Sequence, residues 1–537
     1  MSDKEFNLLY EPWILTMNHH GKIEELSIID VFRKAPQLKA IAGELPTQDV
    51  AVMRLLLAIL HTVIGRYDLD GHLAPLCDGT PDDALDAWAD LWEMKQFPME
   101  IIEQYLKKYE DRFWLFHPET PFYQVACLNK ATEYTSSKLN GELSESGNKI
   151  RLFSGRSGIH KEMLTYAEAT RWLLHINAYD DTSAKPKGKD LPSPGAGWLG
   201  KLGLIFAAGN NLFQTLMLNL VLLKEEGSTV WGPEKPIWEI PVRSAERTEI
   251  LQPNNLSELY TIQSRRLLLN RKDDKVTGYM LLGGDFFQKE NAFNEPMTTW
   301  RNTAKKTSDP DCYVPARHKP ERQIWRDFSS IVLQQDKQKR PGIVSWIAFL
   351  QDHQILEQPI FCFQTPAVAY GDKDFFIDDI FNDSISFNIQ LLSSIGDIWI
   401  SRILEELKTT DLLVAQLGFL AQNIAESAGH LESNGQKPNA IIAQKANAMM
   451  SAYHKLDMQF RNWLVNIDPK QDDIEVACAK WWEDEIQIIR KLGKELIEQA
   501  GPNAFIGKPG KITSTEAYNI FQMKTSSRAA LTKGGKK

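Results

Sequence analysis

A glycine-rich run near the middle of the chain comes closest to a motif with phosphate chemistry. Residues 195–202 read GAGWLGKL, which matches G-x-G-x-x-G and, apart from its last residue, the P-loop pattern G-x-x-x-x-G-K-[ST]. Leu202 stands where a P-loop needs a hydroxyl to hold magnesium, and residues 185–194, KPKGKDLPSP, do not form a strand pattern. Nucleotide binding is therefore disfavoured. A flexible loop remains open, as does a loop whose glycines let another backbone approach closely.

Other residue types with catalytic or ligating chemistry form no recognisable site. The eleven histidines make no H-E-x-x-H pattern, and no G-x-S-x-G occurs. The five cysteines are scattered, which argues against a disulfide framework and a cysteine-type zinc site. Paired aspartates such as Asp82-Asp83 and Asp180-Asp181 are typical of turns and helix starts. We therefore predict no catalytic residues, no metal and no cofactor.

Charge and hydropathy limit the class of protein. The net charge of −9 argues weakly against a simple nucleic-acid binder, yet residues 261–340 hold 16 Lys plus Arg against 10 Asp plus Glu. A solvated loop region explains that local excess equally well. Residues 1–6 lack a signal-peptide pattern, and the apolar stretch 50–64 is shorter than the roughly 20 residues a membrane span needs. We expect a cytoplasmic protein that does not enter a membrane.

The pattern along the chain predicts two domains. Residues 1–384 mix short strands, helices and charged loops, with a buried helix from about Thr47 to Gly65 and another that opens at Thr80. Beyond residue 384 the apolar spacing is that of long helices. The predicted fold class is α+β, with a mixed α/β domain over 1–384 and an antiparallel four-helix bundle over 385–537. The bundle seam on its second helix is predicted to comprise Ile442, Ala446, Met449, Tyr453, Leu456, Phe460 and Trp463.

Several segments, taken in order, resemble a known family. They are residues 6–14 (FNLLYEPWI), 113–116 (FWLF), 121–124 (PFYQ), 194–197 (PGAG) and 291–301 (NAFNEPMTTWR). With the C-terminal helices, this set resembles the CasA family, the large subunit of the type I-E CRISPR surveillance complex Cascade. The resemblance covers nearly the whole chain.

The resemblance implies a non-catalytic subunit of a ribonucleoprotein complex. Such a subunit reads the protospacer-adjacent motif in duplex DNA, helps open the target for R-loop formation and offers a docking surface to a recruited helicase-nuclease. The implied partners are the backbone, small and guide-end-capping Cascade subunits, the CRISPR guide RNA and double-stranded target DNA. Guide pairing would supply the long sequence match, while the protein reads only the short motif.

The resemblance also implies site residues. In the DNA-reading glycine loop, residues 194–201, they are Gly195, Gly197, Trp198, Gly200 and Lys201, and Lys289 is the lysine expected to enter the groove. Trp198 stands where relatives carry a further glycine. A strand-separating wedge is expected at Tyr370, Gly371, Asp372 and Lys373, and a loop that docks on the guide complex at Arg151, Phe153 and Arg156. Relatives with a cysteine cluster differ from this chain, so no zinc is implied.

Two other readings stay open from the residues alone. One is a stand-alone enzyme whose site lies in residues 110–380. The other is a helical scaffold protein without a nucleic-acid role. Co-purification with a guide RNA and further subunits would distinguish the family reading from both.

Overall fold

A computed structural model of the chain describes residues 4–141, 156, 158–183, 185–186, 188–306, 309–334, 338–429 and 439–532. The expected docking-loop residues Arg151 and Phe153 lie outside the described residues. The chain divides into two compact units. Unit 1 comprises Met1–Ile324, Ser330–Glu357 and Phe361–Ser384, and unit 2 comprises Trp325–Ser329, Gln358–Ile360 and Ile385–Lys537.

The strands are short and spread along the chain. They are β1 Glu5–Asn7, β2 Ile14–Asn18, β3 Ile23–Leu26, β4 Leu38–Ile41, β5 Trp114–Phe116, β6 Thr132–Thr135, β7 Gly203–Leu204, β8 Phe206–Ala208, β9 Leu223–Lys224, β10 Thr229–Val230, β11 Arg265–Lys272, β12 Lys275–Gly283, β13 Thr298–Asn302, β14 Tyr313–Pro315, β15 Ile360–Gln364, β16 Ala367–Tyr370, β17 Ile377–Phe381 and β18 Ser384–Asn388.

The described residues form sixteen α-helices, of which the three longest begin after residue 384. They are α1 Ile28–Lys34, α2 Pro46–Ile64, α3 Pro81–Met94, α4 Met99–Lys108, α5 Ser136–Leu139, α6 Tyr166–Tyr179, α7 Leu212–Leu218, α8 Leu256–Tyr260, α9 Ser329–Val332, α10 Gly342–Asp352, α11 Asp397–Ala428, α12 Asn439–Val465, α13 Ile474–Glu498, α14 Pro502–Ile506, α15 Ser514–Lys524 and α16 Arg528–Thr532.

Helix α2 forms the centre of unit 1, as the apolar run predicted. By length and composition it could cross a bilayer, but 94% of its most apolar window is buried in the protein. It packs against α4, α6 and α8. Helix α3 begins as expected at Thr80, whose side chain accepts from the backbone N–H of Asp83 while the Asp83 carboxylate caps Thr80 in return.

Four pieces of unit 1 position the candidate site. Helix α6 ends at Tyr179, and the glycine loop lies between it and β7. Strand β7 pairs with β13, which also pairs with β14. The β11–β12 hairpin extends with β6 into a three-stranded sheet. The β16–β17 hairpin carries the predicted wedge residues at its turn. All these pairings are antiparallel, and the β7–β13 and β6–β12 pairings join strands that lie far apart in the sequence.

Unit 2 is helical, and the predicted fold class, mixed helix and strand with a C-terminal helical region, is confirmed. Helices α11, α12 and α13 are long, whereas α15 has eleven residues, so the four-helix count stays a prediction. The predicted seam on α12 is correct from Tyr453 to Trp463. It is wrong at Ile442, which is 56% exposed, and at Ala446, which is also exposed, because Ile441 and Ala448 turn inward instead. Trp325, outside the predicted bundle, stacks on Phe460 within unit 2, with centroids 4.7 Å apart.

Candidate nucleic-acid interface

The stem of the glycine loop is held by a buried arginine of β11. Arg265 donates to the backbone carbonyl of Gly195 at 2.7 Å and to those of Asp180 and Asp181 at 3.2 and 3.1 Å. Its guanidinium also pairs with the Asp180 carboxylate, which Lys185 contacts at 2.9 Å. Burial alone would raise the pKa of Asp180, but Lys185 and Arg265 bring that pKa below its usual value. The loop is therefore anchored by charge-assisted hydrogen bonds.

Trp198 anchors the middle of the loop. Its ring is 3% exposed, and its Nε1–H donates to Glu295 at 2.8 Å. The same carboxylate accepts two bonds of 2.9 Å from Arg54, and the ring packs on Phe287 with centroids 4.3 Å apart. Trp198, expected among the DNA-reading residues, is thus packed into the interior of unit 1.

The three glycines of the loop have different environments. A Cβ on Gly197 would overlap the carbonyl of Ala178, and one on Gly200 would overlap the hydroxyl of Tyr370. Gly195 lacks such a constraint, since a Cβ there would meet only the end of the Lys201 side chain, with Cε at 3.4 Å, and its φ is ordinary. Packing within the chain thus explains glycine at 197 and 200 but does not require it at 195. Of the three, Gly195 is half-buried, whereas Gly197 and Gly200 are buried.

Positive charge surrounds Gly195. Lys201 and Arg247 line a small pocket with Gly195, and the exposed Lys289 is near enough to act on Lys201 electrostatically; we call these three cations the basic cluster. Burial, together with Arg265, Lys289, Arg247 and Arg317, lowers the pKa of Lys201 to about 8. The Arg247 guanidinium lies over the Phe286 ring, 4.0 Å from its centroid. The sequence reading included Lys201 and Lys289 and missed Arg247, which lies outside the positively charged stretch 261–340.

The predicted wedge lies against the glycine loop. The hydroxyl of Tyr370 donates to the carbonyl of Tyr179 at 2.6 Å, so this ring belongs to the support of the hairpin. The hairpin tip, residues 371–376, is held by a two-pronged ion pair between Arg317 and Asp374, at 2.9 Å for each bond. Lys373 and Asp374 adopt left-handed backbone angles, φ 52° and 61°. Phe375 at this tip is 47% exposed.

Arg156, the described member of the expected docking loop, is paired within its own chain. Its guanidinium contacts Glu44 at 2.6 Å and Glu168 at 3.0 Å. Glu168 also caps helix α6 through Thr165. Arg156 therefore links position 156 to the start of helix α6 through Glu168.

Among the described residues, one group has the spacing of metal ligands: Asp68, Asp70 and His72, all exposed. Asp68 accepts the backbone N–H groups of Asp70 and His72, at 3.1 and 2.8 Å. These contacts are those of a polar turn, and we assign no metal to it.

Comparison with known proteins identifies the family. Residues 7–492 match the family model for CRISPR-associated protein Cse1. The chain belongs to the Cse1 family.

Individual relatives agree with this membership. CRISPR-associated protein CasA/Cse1 of Thermus thermophilus is 32% identical over 341 residues, which is 62% of this chain and 61% of that relative. The crystal structure of Thermobifida fusca Cse1 is 30% identical, with a TM-score of 0.81 and 98% of each chain covered. A chain of a solved CRISPR RNA-guided surveillance complex has the same fold, with 17% identity, a TM-score of 0.66, and 91% of this chain and 99% of that chain covered.

Within this Cse1-family chain, Gly197 and Gly195 are expected to respond differently to alanine. Gly197→Ala should lower the free energy of unfolding by roughly 1–3 kcal/mol, because the new methyl group displaces the Ala178 backbone. Gly195→Ala should leave it nearly unchanged. Chemical denaturation of both purified variants measures the difference. Equal stability of the two would show that the backbones do not approach as closely as described.

Proposed function

We propose that this chain is the non-catalytic large subunit of a CRISPR RNA-guided surveillance complex of the Cascade type and reads the protospacer-adjacent motif in duplex DNA. Membership of the Cse1 family supports the assignment to such a complex. The observation that carries the motif-reading role is Gly195, a glycine that its own chain does not require, lying in a pocket lined by Lys201 and Arg247. A backbone segment without a side chain can approach DNA closely, and the neighbouring cations attract its phosphates.

The physical fit is to the minor groove. That groove is about 6 Å wide and offers few hydrogen-bonding patterns, so it admits backbone and slender side chains better than bulky ones. Gly195 supplies backbone without a side chain, and the exposed Lys289 supplies a long, flexible cation beside it. Narrow minor grooves attract such cations. Base pairing with the guide RNA would read the rest of the target.

We assign strand separation to the tip of the β16–β17 hairpin. The exposed ring of Phe375 can enter a base step, and the exposed Lys373 can contact a phosphate. Asp372 is exposed and Gly371 shapes the turn, whereas Tyr370 supports the hairpin from below. Because Tyr370 also packs on Gly200, the tip is coupled mechanically to the glycine loop. Reading the motif and opening the duplex for R-loop formation would then occur at neighbouring positions.

The remaining parts of the proposal concern partners. Residues 1–384 would read the motif and dock on the guide complex, with Phe153 and Arg151 contacting the guide RNA end and its capping subunit. The four-helix bundle, 385–537, would complete the contacts with the other subunits. The assembled surface would receive the recruited helicase-nuclease in the cytoplasm.

The test uses the assembled complex, with and without this subunit. Binding is measured to duplexes that carry the guide-matched target beside a randomised flanking motif, with a fluorescent base analogue reporting strand opening. We expect a narrow set of enriched motifs only when the subunit is present, and reduced opening with unchanged enrichment for Phe375→Ala. The same enrichment without the subunit would refute the motif-reading role. Failure to co-purify with guide RNA and other subunits would favour the enzyme or scaffold readings.

A further inference from the structure

A cavity of unit 1 outside the candidate interface has a mostly apolar wall. Its volume is about 380 Å³, and it shares no lining residue with the pocket beside Gly195. Its apolar side chains are Leu73, Pro75, Leu76, Leu222, Trp231 and Pro233. Its polar side chains are Arg66, Cys77, Asp78 and Glu234. The side chain of Leu73 is 70% exposed, so part of the apolar wall faces solvent.

Glu234 is the buried carboxylate of this wall. It is 8% exposed, and its Oε2 accepts the backbone N–H of Ser257 at 2.9 Å. Among the described residues no donor bonds to Oε1 and no cation forms an ion pair with Glu234, although Oε1 is not sealed from solvent. The Lys224 ammonium lies over the Trp231 ring instead, 5.7 Å from its centroid. Burial raises the pKa of Glu234 to about 7, although Ser257 and Arg66 act in the opposite direction.

The neighbouring charges leave Glu234 without a counter-ion. Arg66 donates to both oxygens of Glu239, at 2.7 and 2.8 Å, and reaches only the backbone carbonyl of Glu234, at 2.6 Å. Asp78 is exposed and lies 3.8 Å from the Cys77 thiol. Burial and Asp78 raise the pKa of that thiol, and Glu234 adds to the rise, so thiol and carboxylate are near enough to interact. The cavity therefore combines apolar walls with uncompensated negative charge.

This combination fits the side chain of a lysine. Long cationic side chains place their methylene groups against apolar surface and keep the charged head on a polar partner. A buried carboxylate without a counter-charge is unfavourable, so a cation that reaches it gains a strong hydrogen bond. A guanidinium binds best to both oxygens of a carboxylate, whereas a compact ammonium needs only one. Since Ser257 already occupies Oε2, the single open oxygen of Glu234 favours an ammonium.

We propose that this cavity binds a lysine side chain from another subunit of the surveillance complex, with its stem on the apolar wall and its ammonium on Oε1 of Glu234. The inference uses only the assignment to a multisubunit complex and does not depend on the reading of a DNA motif. Charge complementarity selects the partner residue, and the exposed apolar surface of Leu73 offers a contact to the protein around it.

Cys77 allows a test at the cavity itself, because small thiols form disulfides with it reversibly. The purified full chain is equilibrated in a thiol–disulfide buffer with probe thiols of two to four carbons that end in an ammonium or in a hydroxyl. Mass spectrometry of peptides measures each mixed disulfide, and the exposed Cys127 is the internal reference. We expect Cys77 to prefer the ammonium probe by about tenfold, the effect of one hydrogen bond to a charged group.

Matched variants and probes identify the group responsible. Glu234→Gln keeps an acceptor for the N–H of Ser257 and should abolish the preference. Asp78→Asn removes the other nearby charge and should retain most of it. A probe that ends in a guanidinium should be selected less than the ammonium probe. Thermal unfolding checks that both variants fold. A preference that survives in Glu234→Gln, or a stronger selection of the guanidinium, would overturn the lysine site.

The assembled complex tests the partner. There the lysine should fill the cavity, so disulfide formation between Cys77 and the neutral hydroxyl probe should fall at least about tenfold relative to the isolated chain. Glu234→Gln should restore much of that reactivity within the complex, because the lysine loses its partner. Equal reactivity in the complex and in the isolated chain would assign the cavity to a free amine and overturn the docking role. Equal protection in wild type and Glu234→Gln would also overturn it.

These results are distinguishable from those for the proposed function. If the complex protects Cys77 as expected but does not discriminate between DNA motifs, the motif-reading role fails and the lysine site stands. If it discriminates between motifs while Cys77 shows no preference for the ammonium probe, the lysine site fails and the motif-reading role stands. A chain that joins no complex would contradict both.

Discussion

Arg54→Met is expected to lower the free energy of unfolding by about 3–5 kcal/mol, the usual cost of removing one partner of a buried ion pair. Arg54 and Glu295 are 1% and 0% exposed and joined by two bonds of 2.9 Å. Without the guanidinium, the carboxylate of Glu295 keeps only the indole of Trp198 and neighbouring backbone as donors. Chemical denaturation followed by tryptophan fluorescence measures the loss, and the glycine loop should become easier to cleave with protease.

Two further variants make that prediction specific. Arg54→Met combined with Glu295→Gln should recover much of the stability, because it removes the uncompensated charge. Arg33→Met is the surface control. Arg33 pairs with Glu103 at 2.6 Å, but the two side chains are 52% and 41% exposed, so its loss should cost below about 1 kcal/mol. Comparable losses for Arg54→Met and Arg33→Met would contradict the role given to the buried pair.

Gly195→Asp is expected to weaken motif-dependent DNA binding of the assembled complex by about 2–4 kcal/mol, roughly 30- to 1,000-fold. Two causes act together. The side chain fills the space that the groove floor would occupy. Its carboxylate can also neutralise Lys201, since a Cβ at position 195 would lie 3.4 Å from the Cε of Lys201. Equilibrium binding to duplexes with the preferred and a scrambled motif measures the effect.

Controls distinguish a binding defect from a folding defect. Gly195→Ala adds the smallest side chain and should keep most of the discrimination. The stability of Gly195→Asp should stay close to that of wild type, because the position is not crowded by its own chain. A target with a pre-opened bubble should restore much of the binding, since the guide can pair without prior opening by the protein. Full discrimination by Gly195→Asp would show that the loop does not read the motif.

Local features of the fold were accessible from the sequence because their causes are local. The cap at Thr80 and the apolar helix predicted from about Thr47 each depend on residues within a few turns. The seam on α12 shows that local spacing does not fix which face of a helix is buried. Its half around Leu456 is buried as predicted, whereas near Ile442 the buried side chain is that of the neighbouring Ile441. Which face of a helix is covered depends on the helices that pack against it.

In the candidate site, too, local features could be predicted from the sequence, whereas contacts between distant residues could not. The sequence predicts the glycine loop and Lys289 as site residues, but it could not rank three glycines that look alike in a motif. Contacts with Ala178 and Tyr370 from distant parts of the chain made that distinction. The sequence predicts Trp198 as a DNA-reading residue. In the structure its indole donates a hydrogen bond to Glu295, 97 positions away, and lies in the interior.

The sequence by itself determined the family, the mixed fold class with a helical C-terminal part, and the position of the loop, because ordered segments and short-range periodicity are carried by neighbouring residues. Only the tertiary structure decided that Gly195 is the open glycine and that Arg247 joins Lys201 and Lys289. It also decided that burial among cations lowers the pKa of Lys201 to about 8. The physical reason is that charge fields and steric exclusion act through space, between residues that the tertiary fold of unit 1 brings together from far apart along the chain.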